Sequence, residues 1–321
     1  MSEEDQTVFH VIFAIVACVL QVAVATAGIF GHVIILFVTY RTKEIQNKYG
    51  LLLVQLSITH IICIFGELMN TAFIVAAPVL PKTECFKIFA ALLVVMIWQS
   101  LIMLSISIDL LCAIVFPIHY RKWTARASVC VNVVVCGFIS VAYTMTIYGH
   151  TDTTGSGICN VYTAQNHSVF THTEALAYTI AVLQVLIYIA CYVIMYIRAR
   201  NFMRRNKNAC YRNQHRKTMR TISMLIVIYM CTWVLSILTT DAIHFVADVE
   251  WRFIMWMVAS VLQMLCFAQT FYVCYQRSSE YRNIFRRLFK LLKLPKDVKI
   301  HLQQVCSPEK THIRSISFVM T

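Results

Sequence analysis

Charge is what this chain has least of. Asp, Glu, Lys and Arg together make up 13% of its 321 residues, about half the share usual in soluble domains. Such a chain cannot present an ordinary solvated surface. Proline and glycine are scarce as well, at five and eight residues, which excludes a collagen-like or low-complexity chain. Catalytic signatures are missing: no HExxH, CxxC, GxGxxG, P-loop or GxSxG pattern occurs. The 11 histidines show no Cys/His spacing that suggests structural zinc. No internal repeat is present, which argues against a transporter built from duplicated halves. An enzyme is therefore not expected, nor a cofactor or a metal site.

What the chain has in excess is apolar, at 59% of residues. Seven stretches, residues 9–39, 50–76, 85–115, 127–148, 174–197, 219–245 and 251–275, are long enough to cross a hydrocarbon core about 30 Å thick. They are too long for strands and lack the alternating polarity of a barrel, so helices are the structure that can satisfy their backbone groups in lipid. The expected fold is an all-α membrane protein, a seven-transmembrane helix bundle. Residues 1–8 form an N-terminal segment, 9–275 the helical domain and 276–321 a tail. The acidic start Ser2-Glu3-Glu4-Asp5 lacks the basic flank of a cleaved signal peptide, so the first span reads as a retained helix.

Cations set the direction. Of the 28 Lys and Arg residues, 25 fall in the first, third and fifth loops with their flanks and in the tail, leaving Lys82, Lys87 and Arg252 on the other side. The positive-inside rule puts the N-terminus outside and the tail in the cytosol of a plasma-membrane protein. The net charge of +13 is thus a topology signal; the expected surface partner is the lipid bilayer, not nucleic acid. Asn166-His167-Ser168 is a glycosylation acceptor in the long second outer loop. Most of the 13 cysteines lie inside spans as small packing groups. Cys85 and Cys159 instead fall on the outer, oxidising side, where they can form a disulfide.

Spacing along the third span carries a resemblance. Cys85 is followed 24 residues later by Asp109 and eight further on by Pro117, within IDLLCAIVFPIHYR. With seven helices and an outer N-terminus, this resembles the rhodopsin-like G-protein-coupled receptors over nearly the whole chain. In style the degenerate motifs look most like the nematode serpentine chemoreceptors of the Srsx class. The departures are many. D-R-Y appears as Asp109-Leu110-Leu111, so the arginine that locks helices three and six in that family is missing. The helix-one G-N is Gly31-His32, and the helix-two motif is Leu56-Ser57-Ile58-Thr59-His60. C-W-x-P is reduced to Cys231-Thr232-Trp233, and N-P-x-x-Y is Ala268-Gln269-Thr270-Phe271-Tyr272. No proline lies inside a span, so helices five to seven have no proline kink.

The family's sodium pocket needs anionic and neutral oxygen ligands. His60, Ala268 and Gln99 stand where those would be, so no sodium site is expected. His60 pairs either with Gln99 or with a backbone carbonyl or water. In the apolar cores only Glu67 and Asp241 are acidic, and a charge there costs about 2.5–3.5 kcal/mol at a helix centre. Glu67, with Asn70 nearly a turn further out, is either a pocket residue or a carboxyl bonded to a neighbouring helix. Asp241 is either a pocket residue or an interfacial one. Leu92, Met96 and Gln99 of span three, with Tyr178, Trp233 and Trp256 as aromatic walls, complete a mostly apolar candidate pocket. Leu92 takes the position of the family's amine-binding aspartate, so a biogenic amine is not expected.

The resemblance assigns Asp109, Leu110, Pro117, Tyr192 and Tyr272 to G-protein coupling. Residues 279–292, SEYRNIFRRLFKLL, form an amphipathic helix with Phe285, Leu288, Phe289 and Leu292 on one face, suited to an anionic membrane surface. The basic loop 198–220 either meets a G protein or answers anionic lipid. The functional expectation is a receptor for an extracellular small molecule or peptide, a chemoreceptor signalling through a heterotrimeric G protein. Two rivals stand beside it: a non-signalling relative acting as decoy or trafficking subunit, and a small-molecule transporter or odorant-gated channel.

Overall fold

The computed structural model describes residues 3–76, 79–116, 119–120, 124–151, 155–165, 167–205, 227–228, 231–243, 245–246, 248–277 and 282–286. Each apolar stretch expected to span is helical where described, except for turns at Phe245 and Gln269. The helices are α1 (Glu3–Arg41), α2 (Lys48–Ala76), α3 (Lys82–Val115), α4 (Ala125–Gly149), α5 (His167–Arg205), α6 (Cys231–Ile243), α7 (Val249–Ala268) and α8 (Thr270–Arg277). Six of them, α1 to α5 and α7, are long and apolar enough to cross a bilayer, and α6 lies inside the sixth expected span. The chain is a multi-pass membrane protein.

α3 occupies the middle of the bundle and packs on α2, α4 and α5, while α7 packs on α1 and α2. The outer helices expose rows of large apolar side chains: Val11, Ile15 and Val19 on α1, Val134 and Phe138 on α4, Leu186 and Ile189 on α5. In water those faces would be unfavourable; in hydrocarbon they are the solvated surface. Small residues permit the closest approaches, as in membrane helices generally. A Cβ added to Gly31 of α1 would lie 2.6 Å from the Phe271 Cβ, and one on Gly28 would lie 2.9 Å from the Ala268 Cβ. α1 can therefore meet the α7–α8 junction only because both positions are glycine.

The structure bears out the expected Cys85–Cys159 disulfide and adds a strand pair and a helix break. The loops after α2 and α4 pair as a small antiparallel sheet, β1 (Val79–Pro81) with β2 (Gly155–Ile158), Val79 opposite Ile158 and Pro81 opposite Gly155. A disulfide joins Cys85 to Cys159, 74 residues apart in sequence, with their Cα atoms 5.7 Å apart. The seventh span is also interrupted at Gln269 although no proline is there. The Phe267 carbonyl, two residues before the break, accepts a bond from His32 Nε2 of α1 at 2.9 Å. α-Helical bonding resumes with Val273 N donating to the Gln269 carbonyl. A side chain from another helix thus supports a break that proline causes elsewhere by removing a backbone donor.

Of the amphipathic tail segment 279–292, residues 282–286 are described and helical; the remainder lies outside the described residues. Phe285, expected on the membrane-facing side, is fully buried. Its ring packs 5.1 Å from Phe271 and 6.1 Å from Tyr275, centroid to centroid. The tail turn is therefore anchored to α8 rather than presented by Phe285 to lipid.

Candidate functional site

The site begins with a short peptide, residues 159–165, laid into one end of the bundle. The disulfide holds its start against the head of α3. Asn160, fully buried, folds the next residues by local capping: its Oδ1 accepts from Tyr162 N at 2.9 Å and Thr163 N at 2.8 Å. Val161 N donates to Asn70 Oδ1 of α2 at 3.3 Å, and Asn70 Nδ2 donates to Glu67 Oε2 at 3.3 Å. Gln165 bonds back to the Val161 carbonyl and accepts from Thr173 at the start of α5. The protein's own bonds thus tie the peptide to three helices.

Tyr162 projects from this peptide into the bundle. Its hydroxyl donates to Gln263 Oε1 of α7 at 2.7 Å, and its ring stacks on Trp256 at 5.4 Å and meets Phe170 edge-on at 6.1 Å. Burial pushes the Tyr162 phenol well above its ordinary value, so it is a neutral donor throughout the physiological range. Beneath it lies a cavity of ≈ 90 Å³ walled by α3, α5, α6 and α7. A single water needs about 10–15 Å³ of such space, so the cavity has room for a small organic molecule. Its apolar wall includes Ile97, Phe170, Ala177, Ile180 and Trp233; its polar wall includes Ser100, Tyr162, Gln165, Glu174, Thr240 and Gln263.

The structure gathers some of the expected pocket residues and separates others. Met96, Gln99 and Trp233 line the cavity. Trp256 stands one layer behind, against Tyr162. Glu67 and Asn70 are buried away from the cavity and hold the loop peptide instead. Leu92 packs into the space left by Gly66 of α2, so the family's amine-binding position is taken up by helix contact. Asp241 and Tyr178 bond to each other beside the wall, the phenol donating to Asp241 Oδ2. Sequence reasoning does not reach Tyr162, Gln165, Glu174 or Gln263. Two of them carry a usable signal: Gln263 is an uncharged polar residue deep in an apolar span, and Tyr162 follows Cys159 by three residues.

Deeper in the bundle, between α1, α2 and the α7–α8 break, sit His32 and His60. Both are buried, with rings edge-to-face at 5.1 Å. Because a carbonyl only accepts, the bond to Phe267 puts the proton of His32 on Nε2. His60 Nδ1 lies 3.3 Å from Thr270 Oγ1. His60 therefore turns to α8 and not to Gln99, with which a bond was one of the two expectations.

The end of the bundle away from the disulfide is held differently. Tyr120 donates to Asp109 Oδ2 at 2.6 Å, and Lys48 Nζ sits 3.8 Å over the Tyr120 ring while bonding its carbonyl. Burial, with the Asp109 carboxylate beside it, raises the Tyr120 hydroxyl far above its ordinary value. Leu110 joins Leu111, Ile114, Ile187, Cys191 and Ile194 in an α3–α5 cluster. The position of the missing arginine is thus an apolar contact to α5. Tyr192 is exposed on α5, and the Tyr272 hydroxyl donates to the Ala27 carbonyl of α1 at 3.0 Å. Pro117 and Asn166 lie outside the described residues. Residues 25–289 match the family model described as the serpentine type 7TM GPCR chemoreceptor Srsx; comparison with curated proteins gives no match.

Proposed function

The chain belongs to the serpentine seven-transmembrane chemoreceptors of the Srsx type, and from that premise we propose how it works. It sits in the plasma membrane with its N-terminus and disulfide outside and its basic loops in the cytosol. A small molecule enters from outside, lodges in the cavity under Tyr162 and biases helix packing at the far end, where a heterotrimeric G protein is engaged. The single observation that carries this reading is the cavity itself, closed over by a disulfide-tethered peptide and walled by four helices. A ligand there touches α5, α6 and α7 at once. It drives a change only to the extent that it binds the active arrangement better than the resting one.

α7 supplies a route from the cavity. Gln263 and Phe267 are on the wall, the break at Gln269 follows, and Phe271 beyond it packs on Phe285 of the tail turn. A shift of the upper α7 wall therefore reaches the far end through a segment already discontinuous in backbone bonding. Ligand-dependent nucleotide exchange on a panel of G proteins, driven by a library of small odorants, tests the reading. At least one compound should stimulate exchange in the native receptor and fail with Ala177→Phe, which fills the cavity. A bound compound that stimulates none of the panel would instead favour a non-signalling decoy or trafficking role, a reading that Leu110 in its apolar cluster supports.

A further inference from the structure

The cavity's polar wall carries no cation among the described residues, and its one charged group is Glu174 of α5. Asp241 of α6 stands close enough to Glu174 for the two acids to interact electrostatically. Two carboxyl groups so placed repel unless a proton or a cation lies between them. Glu174 Oε1 and Asp241 Oδ1 are nonetheless buried without a donor, and Asp241 Oδ2 already takes the Tyr178 hydroxyl. Among the described residues neither acid has a cationic partner. On the opposite wall, Gln263 is 3% exposed. Its Oε1 is taken by Tyr162, while the only acceptor its two amide hydrogens reach is the Met96 sulfur at 3.9 Å. A thioether is a weak acceptor, so the amide nitrogen of Gln263, on the cavity wall, is only weakly matched among the described residues.

Glu174 and Gln263 lie on the wall of one cavity, with Asp241 beside Glu174, and their chemistry is complementary. The acid pair lacks donors and positive charge; the amide lacks a strong acceptor. We propose that the cavity's ligand is a small organic amine in its protonated form, its ammonium donating to Glu174 and Asp241 and its body lying against Phe170, Trp233 and Ile180. A ligand oxygen, where present, would accept from Gln263. The ammonium takes over the place of the shared proton, so the two carboxylates and the cation balance with one net negative charge. An anionic ligand finds no counter-charge here, and a neutral one supplies no positive charge to the acid pair, which is penalised inside the bundle. Leu92 speaks against an amine only at the family's own position on α3; the fold brings acid from α5 and α6 instead.

The proposal rests on the cavity being the ligand site, and the test separates the two. Purified full-length receptor in lipid nanodiscs is unfolded thermally with cyclohexylamine, cyclohexanol or cyclohexanecarboxylate, which match in shape and differ in charge. Cyclohexylamine should raise the midpoint saturably and the carboxylate should not. Glu174→Gln and Asp241→Asn, which preserve shape, should each raise the half-saturating amine concentration by about tenfold or more, the size of one lost charge-assisted contact. Phe138→Leu, on the exposed apolar face of α4 and outside the cavity lining, should retain the amine shift and serves as the folding control. Equal shifts by amine and alcohol, or an amine shift untouched by Glu174→Gln, would overturn the amine assignment. If the alcohol shift then disappears in Ala177→Phe, the cavity survives as a ligand site without the charge preference. If none of the three compounds shifts the midpoint, both readings fall.

Discussion

The two ends of this bundle are held together by different chemistry. At the disulfide end, polar side chains from separate helices converge on the peptide 159–165: Asn70 on Val161, Gln263 on Tyr162, Thr173 on Gln165. At the other end, Leu110 packs among Ile187, Cys191 and Ile194 and Phe271 against Phe285, beside the bonds of Tyr120 to Asp109 and of Lys48 to the Tyr120 carbonyl. Directional bonds fix a loop in one place, as a binding site requires. Apolar contacts are non-directional and allow sliding, with less bistability than a charge pair that is either made or broken. The loop at the disulfide end is thus held by more directional contacts than the Leu110 cluster at the other.

The largest break in that comparison should come from the disulfide. Cys85→Ser frees a tether 74 residues long, and loss of a native disulfide typically removes about 2–5 kcal/mol. Surface expression and amine-dependent stabilisation should both collapse; cell-surface labelling at native levels would mean that the hydrogen bonds alone hold the peptide. Next comes the coupling end. Leu110→Arg restores the family's residue type, yet the new guanidinium would enter a cluster of aliphatic side chains, with a loss of up to about 3 kcal/mol. The thermal midpoint should fall without a gain in nucleotide exchange, and increased exchange would show that the site can still host the lock.

His32→Leu strips the Phe267 carbonyl of its bond from α1, and an unmatched buried acceptor costs about 1–3 kcal/mol. Hydrogen exchange should rise around residues 267–273 and not around 159–165; uniform protection would place the cause of the break elsewhere. The smallest effect is expected from Tyr162→Phe. It removes one hydroxyl bond to Gln263 and keeps the stack on Trp256, for about 0.5–1.5 kcal/mol. Stability should change little while the half-saturating amine concentration changes measurably. An unchanged ligand response would detach Tyr162 from the site.

Part of the site is legible in the residues alone. Met96, Gln99 and Trp233 sit on the cavity wall as expected: position along an apolar span gives depth and, by helical periodicity, rough facing. Glu67 shows the limit of that method. It is intramembrane and acidic, as a ligand residue would be, but whether it meets ligand or loop depends on a rotation of α2 by a fraction of a turn. Glu174 escapes the method for the opposite reason: it lies at the edge of its span, where a charge signals nothing unusual. Likewise the β1–β2 pair has too few residues to carry a strand pattern.

Sequence alone determined the number of spans and the charge asymmetry from which their direction is proposed. Both follow from transfer energies that belong to single residues and add along the chain. Tertiary structure decided everything that depends on which side chain meets which: His60 against Thr270, 210 residues away, Leu110 on α5, and acids from two helices beside one cavity. Those pairings depend on helix rotation and approach distance, set by close contacts such as Gly31 on Phe271. No sum over residues contains them.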